Sequence, residues 1–298
     1  MSEVVEKQEE SKLQAKGITL VPMGGVASRV RTVASMIYLA EKYHRPLEII
    51  WHTDEEMPVS TDRLFTLVPR LATKEITLRA FETWDTLLNM PPMINNLYFS
   101  YPIVSLRYDR VLFGSHLARM ISRDRDELEA LLKDGEKSLL IATDQSFGNY
   151  YGMYDVLEST VEVNNVVLSI MASWKNSVVG VHINRRANSR STFNECPIEL
   201  FIKRMQEMIE ADRETNFYIA TTSKDERERL ATIFRERVYV PHSVADPDTL
   251  KGVIQSLGEL LALSHCDRIL TTPESNYSQV ASELGNVPLE TLSIYANI

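Results

Sequence analysis

From Gly17 onward, short apolar runs alternate with longer stretches in which apolar residues recur every third or fourth position. Ile18–Pro22 (ITLVP) is such a run, closed by Gly24-Gly25, and predicts a strand followed by a tight turn. Val26, Val30, Val33, Ile37 and Ala40 share one helical face, which predicts a helix to about His44. Residues 46–51 (PLEIIW) predict a second buried strand. This order places the glycine turn at the carboxyl end of the first strand, where open parallel sheets bind ligands. Prolines at 58, 69, 91, 92 and 102 break the pattern through residues 52–101, where only short helical or strand pieces are expected. Further on, 125–133 reads as a helix, 138–143 (SLLIAT) as a strand, and 161–174 as a long helix bridging two domains.

From residue 177 the alternation is regular. Strand 177–183 (SVVGVHI) precedes helix 197–213, which has Pro197 at its first position. Strand 216–221, helix 224–236, strand 238–241, helix 248–265, strand 268–272 and helix 275–284 follow, and 288–294 closes the sheet. Such alternation predicts an α/β fold with parallel sheets covered on both faces. The expected organisation is a disordered tail (1–16) and two Rossmann-like domains, 17–157 and 158–298.

The 44% hydrophobic and 24% charged content is that of an ordinary globular protein. A net charge of −9 argues against a nucleic-acid partner, which needs basic residues to neutralise phosphates. Cys196 and Cys266 are too few for a disulfide scaffold and fit a reducing compartment. No apolar stretch approaches the roughly 18 residues of a membrane span, and residues 1–16 lack the apolar core of a secretory signal. A cytoplasmic protein is expected.

Three loops carry candidate chemistry. Gly24-Gly25-Val26-Ala27-Ser28-Arg29-Val30-Arg31 joins a glycine turn to a helix amino terminus, which attracts anions. Arg29 and Arg31 oppose the helix dipole there. A bound anion or an acidic partner would explain them; solvated arginines at a helix start are the plain alternative. The loop is neither a Walker A nor a GxGxxG motif, which lowers kinase and dehydrogenase readings. The second loop follows a buried strand and runs His182-Ile183-Asn184-Arg185-Arg186-Ala187-Asn188-Ser189-Arg190. Its arginines suit a diphosphate, because the guanidinium fork matches phosphate oxygens; a solvated loop with a strand-end histidine is the alternative. The third, Thr271-Thr272-Pro273-Glu274-Ser275-Asn276-Tyr277-Ser278-Gln279, is a hydroxyl-rich strand end in which Ser275 is a natural N-cap.

Other features read as structural. Asp124-Arg125-Asp126 has a metal-binding DxD pattern, but it opens a helical stretch where acidic residues favour the dipole. His44, His52, His116, His242 and His265 lack the paired spacing of a zinc site, so no metal is expected. The Asn276-Tyr277-Ser278 sequon has no secretory context, and Met205 and Met208 fall on helix faces.

Taken together, the three loops resemble those of the fucosyltransferase superfamily of GT-B architecture, which includes the nodulation fucosyltransferases, the α1,6-fucosyltransferases and the protein O-fucosyltransferases. The first loop resembles the family's GGxxNRxR pattern. His182 to Ala187 resembles its HxRRxD loop, and Ser275-Asn276-Tyr277-Ser278-Gln279-Val280-Ala281 its SSFSxxA turn. The resemblance implies two Rossmann-like domains with a cleft between them, and a nucleotide sugar held mainly by the carboxyl domain. It implies that His182 contacts guanine, that Arg185 or Arg186 grips the diphosphate as the catalytic group, and that Ser275 and Ser278 hold phosphates, with Asn276 of the same turn also on the donor. Gly24, Gly25, Ser28 and Arg29 line the cleft, with a glycan acceptor on that side. The implied reaction inverts the anomeric centre without a metal or cofactor, with GDP-fucose as donor.

The sequence departs from the family at several places. Ser28 stands where the family has Asn. In His-Ile-Asn-Arg-Arg-Ala either Asn184 replaces the first arginine, or one residue is inserted and Asn188 replaces the family's Asp. Ala220-Thr221-Thr222-Ser223 stands where the family has Ala-Thr-Asp, leaving Ser223 and Asp225 as candidates beside the base. Fucose transfer from GDP-fucose to a glycan is the leading expectation. A non-catalytic nucleotide-sugar or glycan-binding protein on the same fold is the alternative, and a metal-dependent transferase using Asp124 and Asp126 is a third. An arginine of the second loop facing the cleft favours transfer; one facing solvent favours its loss.

Overall fold

The structure is a computed structural model that describes residues 15–89, 100–175, 177–185, 195–241, 246 and 249–295. Its main elements begin β1 (Ile18–Pro22), α1 (Val26–Tyr43), β2 (Leu47–Trp51), β3 (Phe65–Leu67), β4 (Ile76–Ala80) and α2 (Asp85–Leu88). They continue α3 (Ser100–Arg107), β5 (Arg110–Phe113), α4 (Gly114–Ser122), α5 (Arg125–Lys133) and β6 (Leu139–Thr143). Then come β7 (Leu157–Ser159), α6 (Val161–Met171), β8 (Val178–Ile183), α7 (Ile198–Ala211), β9 (Asn216–Thr221) and α8 (Lys224–Phe234). The last are β10 (Val238–Tyr239), α9 (Leu250–Leu263), β11 (Arg268–Thr271), α10 (Asn276–Gly285) and β12 (Leu289–Thr291).

The chain divides into two compact units. One takes in the described residues of Met1–Met23, Thr32–His52 and Leu67–Val156; the other takes in Gly24–Arg31, Thr53–Thr66 and Leu157–Ile298. The first contains a parallel five-stranded sheet of order β4-β2-β1-β6-β5. Its central strands β1 and β6 are buried along their whole length, as continuous apolar runs require. Beside them the buried guanidinium of Arg45 is satisfied by carbonyls, donating to Lys16 O at 2.8 Å, Asp134 O at 2.7 Å and Lys137 O at 2.6 Å.

The second unit holds a parallel sheet of order β10-β9-β8-β11-β12. Counted within this sheet the order is the doubly wound 3-2-1-4-5, whose direction reverses between β8 and β11. Val179, Val181, Ile183, Phe217 and Ile219 pack there against Phe201 and Met205 of α7, and Met208 packs against the same cluster. On the opposite face α9 lies close, because Gly180 has no side chain. A Cβ there would stand 2.7 Å from Leu263 Cδ2.

Several boundaries differ from the sequence expectation. The helix expected over 161–174 ends at Met171 and packs on α9 inside the second unit; it is not a bridge. The strand expected over 238–241 is reduced to Val238–Tyr239 at the sheet edge. β4 and β5, both edge strands, had no clear sequence signature. No helix among the described residues is long and apolar enough to cross a membrane.

Candidate functional site

A cavity of about 1050 Å³ opens at the carboxyl edge of the second unit's sheet, all of its lining residues belonging to that unit. This is the switch point between β8 and β11, where the two diverging crossovers leave a crevice. Gly25, Val26, Ala27 and Ser28 bring the amino end of α1 into its wall. Gly24 makes the turn in the left-handed region at φ 76°, a conformation that glycine adopts without strain. Free backbone amides of the first helical turn therefore border the cavity.

Arg29 is fully buried, and it is not among the cavity-lining residues. Its Nε donates to Gly24 O at 2.6 Å and its Nη2 to Asp54 Oδ2 at 2.6 Å. Burial pushes the guanidinium below its ordinary value, and Asp54 opposes that shift. Asp54 Oδ1 in turn accepts from the amides of Glu56 at 3.0 Å and Met57 at 2.9 Å, shaping the turn of Glu55, Glu56, Met57 and Pro58 that forms another wall. Arg31 spans to α10, donating to Gln279 Oε1 at 3.1 Å and Glu283 Oε1 at 3.0 Å. The first-turn charges thus have acidic partners within the chain.

His182 ends β8 with its ring against the cavity and stacked on Tyr277, centroids 4.7 Å apart at 23°. Its Nδ1 lies 2.6 Å from Ser278 Oγ and 3.1 Å from Ser275 Oγ; Ser278 Oγ is 2.6 Å from Thr271 Oγ1. The hydroxyl chain orients the ring whichever nitrogen carries its proton. Burial lowers the His182 pKa to about 4, so the imidazole is neutral at physiological pH. Ser275 caps α10, accepting from Ser278 N at 3.4 Å. The two serines therefore stand behind the histidine, and Asn276 of the same turn lines the cavity.

Side chains alternate along an extended segment, so Asn184 follows His182 to the cavity while Arg185 goes the other way. Asn184 N donates to Thr272 Oγ1 at 3.2 Å. Arg185 is buried against α8: its Nε bonds both oxygens of Glu226 at 3.0 and 2.9 Å, its Nη2 reaches the same carboxylate, and its Nη1 donates to Cys196 O at 3.0 Å. Its side chain is 6% exposed, and it is not among the residues that line the cavity. Ser223 caps α8, and Asp225 is exposed on its first turn. Arg186 and Asn188 lie outside the described residues. So the structure gathers Gly25, Ser28, His182, Asn184 and Asn276 in one wall, backed by Gly24, Ser275 and Ser278. It holds Arg29, Arg185, Ser223 and Asp225 elsewhere. Asp124, of the DxD pattern, pairs with Arg119 at 3.2 Å.

Sequence reasoning named Thr221, Thr222 and Tyr277 within their motifs without giving them a role, and missed one face of α9: Val253, Ser256 and Glu259, spaced three apart. Glu259 accepts from Gln255 Nε2 at 2.8 Å, and burial raises its pKa to about 7. Its signal was available, as one acid inside the apolar stretch GVIQSLGELLAL. Among the described residues the cavity wall carries Glu55, Glu56, Glu259 and Glu274 and no lysine or arginine.

Structural comparison shows that the chain has a fucosyltransferase-like fold. The chain is similar to the Bradyrhizobium fucosyltransferase NodZ, with TM-score 0.62 and 17% identity over 89% of this chain and 91% of that one. A structure of NodZ α1,6-fucosyltransferase soaked with GDP-fucose matches with TM-score 0.62 and 17% identity over 92% and 94% of the two chains. Arabidopsis thaliana FUT1, as a mutant in complex with GDP, matches with TM-score 0.61 and 14% identity over 98% of this chain and 74% of that one. No family model matches the chain, and no curated protein sequence matches it.

Proposed function

We propose that this protein is a glycosyltransferase that moves fucose from GDP-fucose to a glycan, inverting the anomeric centre without a metal. The observation that carries the reading is the switch-point cavity: an anion-attracting helix start, a neutral strand-end histidine and the α10 turn line it within one unit. Support comes from the same fold in NodZ soaked with GDP-fucose. In an inverting step the acceptor oxygen attacks the anomeric carbon while the bond to the diphosphate oxygen breaks, so donors must meet the departing charge. The first-turn amides of α1 and the guanidinium of Arg186 are assigned that role, and His182, Asn184 and Asn276 position the nucleotide. Residues 158–298, joined by Gly24–Arg31 and Thr53–Thr66, are assigned the nucleotide sugar, and the remainder of 17–157 the acceptor. The unpaired buried thiols Cys196 and Cys266 support a reducing, cytoplasmic setting.

Calorimetric titration of GDP, GDP-fucose, UDP and ADP in EDTA tests this. GDP and GDP-fucose should bind, and Arg186→Ala should weaken both by tenfold or more, as loss of a charge-assisted contact of about 1.5–3 kcal/mol requires. Preference for UDP would change the sugar donor, and silence from all four would overturn the reading. One observation favours a second reading, a binding protein without transfer: Arg185 is committed to Glu226, and the described wall of the cavity is acidic. GDP-fucose binding with neither hydrolysis nor transfer across a glycan panel would select it.

A further inference from the structure

The first unit carries an apolar patch for which its own packing has no use. α2 and α3 lie against each other, and each turns inward a pair of residues four apart: Asp85 with Asn89, and Val104 with Tyr108. Val104 and Tyr108 pack with Val21, Ile50 and Leu140 of the sheet. A chain of hydrogen bonds ties the two helices together. Arg79 holds Asp85 through two bonds, at 2.7 and 2.8 Å, and Asn89 Nδ2 donates to Asp85 Oδ1. The Tyr108 hydroxyl donates to Asn89 Oδ1 at 2.5 Å. With these pairs facing inward, a turn of about 100° per residue carries Trp84 and Leu87, and Ile103 and Leu106, to the outer side. Trp84 is 70% exposed, Leu87 48%, Ile103 39% and Leu106 88%. Apolar side chains held out in water by a braced pair of helices mark an interaction surface.

The charges beside the patch select its partner. Ile103, Leu106 and Arg107, spaced three and four apart, share one helical face. Arg107 and Arg110 are exposed, and among the described residues no carboxylate pairs with either. Asp109 between them is engaged elsewhere, accepting from Lys16 Nζ at 3.0 Å and from Ser138 N at 2.8 Å. Asp85 is buried on Arg79, which leaves Glu82 as the exposed acid of the α2 side. A chain of net charge −9 thus sets two unpaired cations beside its exposed leucines. Four side chains on two short helices fall well short of the roughly 20–30 residues a side of a stable protein interface. They are enough for a bilayer surface, where tryptophan sits at headgroup level, leucine and isoleucine enter the acyl boundary, and arginine meets anionic lipid.

We propose that this patch docks the protein on an anionic lipid bilayer, peripherally and without a span. Trp84, Leu87, Ile103 and Leu106 enter the interface, and Arg107 and Arg110 meet the lipid phosphates. The docking does not depend on the nucleotide reading above. Taken with that reading, it directs the search for an acceptor to glycans carried on lipid.

Flotation of the full-length protein with vesicles tests this, using phosphatidylcholine alone and an equal mixture with phosphatidylglycerol. Wild type should bind the mixture, bind phosphatidylcholine more weakly, and lose affinity as salt rises. Leu106→Asp should bind about tenfold or more weakly, the scale of burying one leucine. Arg107→Gln and Arg110→Gln should each lose about fivefold on the mixture and little on phosphatidylcholine. These side chains are exposed, so the variants should keep the wild-type melting temperature and GDP affinity. A second reading needs no variant: brominated lipid should quench wild-type emission, since Trp84 is the exposed tryptophan of the three. Equal binding by wild type and Leu106→Asp, or no binding to the anionic mixture, would overturn the proposal and leave the nucleotide site standing. Acrylamide that spares Trp84 in the vesicle-free protein would overturn it too, by showing that the chain itself covers the patch. A dimer lost in Leu106→Asp, with no vesicle binding by wild type, would give the patch to a second copy instead.

Discussion

Two buried ionisable side chains in one cavity wall give opposite pH dependences of stability. Glu259 has a folded pKa of about 7 against an ordinary 4.5. Its contribution is full below about pH 4.5 and is lost as pH rises through 7, on the order of 3 kcal/mol in all. His182 is held near 4 against an ordinary 6.5, so its contribution is present above 6.5 and is lost as pH falls toward 4. Thermal unfolding of the unliganded protein should therefore show Glu259→Gln more stable than wild type at pH 8, the two converging near pH 5. Parallel profiles would mean that the carboxyl is solvated in solution. At this scale the sequence is informative where a function is local. Ser275, Ser278 and His182 could be read from strand ends, because caps and strand-end turns have local signatures. Arg29 and Arg185 could not. An arginine near a loop looks the same whether it awaits a phosphate or a carboxylate, and Asp54 and Glu226 stand 25 and 41 residues away.

Among the elements, α9 is the one whose position the cavity depends on most. It presents Val253, Ser256 and Glu259 to the site and packs on α6 through Gly258, where a Cβ would stand 2.5 Å from Val166 Cγ1 and 2.7 Å from its Cβ. Alanine is the better helix former by about 1 kcal/mol, but overpacking of this kind costs about 1–3 kcal/mol. Gly258→Ala should therefore lower the urea midpoint. A raised midpoint would mean that α6 and α9 are not in this contact. The central strands β1, β2, β6, β8, β9 and β11 were legible as apolar runs because both faces of a central parallel strand are covered. The edge strands were legible only in part: β10 and β12 were expected but are shorter than read, and β4 (ITLRA), which mixes buried and exposed positions, and the four-residue β5 were not expected. A pattern that short carries no period to detect.

At the scale of the whole chain, the second unit is assembled from three separated stretches, and the two early ones supply half of the cavity's character. Gly24–Arg31 brings the helix amino terminus, and Thr53–Thr66 brings the turn around Met57. They are fastened inside the unit by Arg29 to Asp54 and by Arg31 to Gln279 and Glu283. Sequence order conceals this, since nothing in a linear pattern ties residue 29 to residue 54, or residue 31 to residue 283. Hydrogen exchange on the full chain with saturating GDP follows directly from it. Protection should rise together in peptides covering 24–31, 53–59, 182–185, 253–260 and 274–279, while β6 of the first unit should exchange as it does without ligand. Ligand that orders only the segments after Leu157 would show that the nucleotide does not use the α1 amino terminus. The donors for a departing diphosphate would then have to come from the second loop alone, with Arg186 as the residue to replace next.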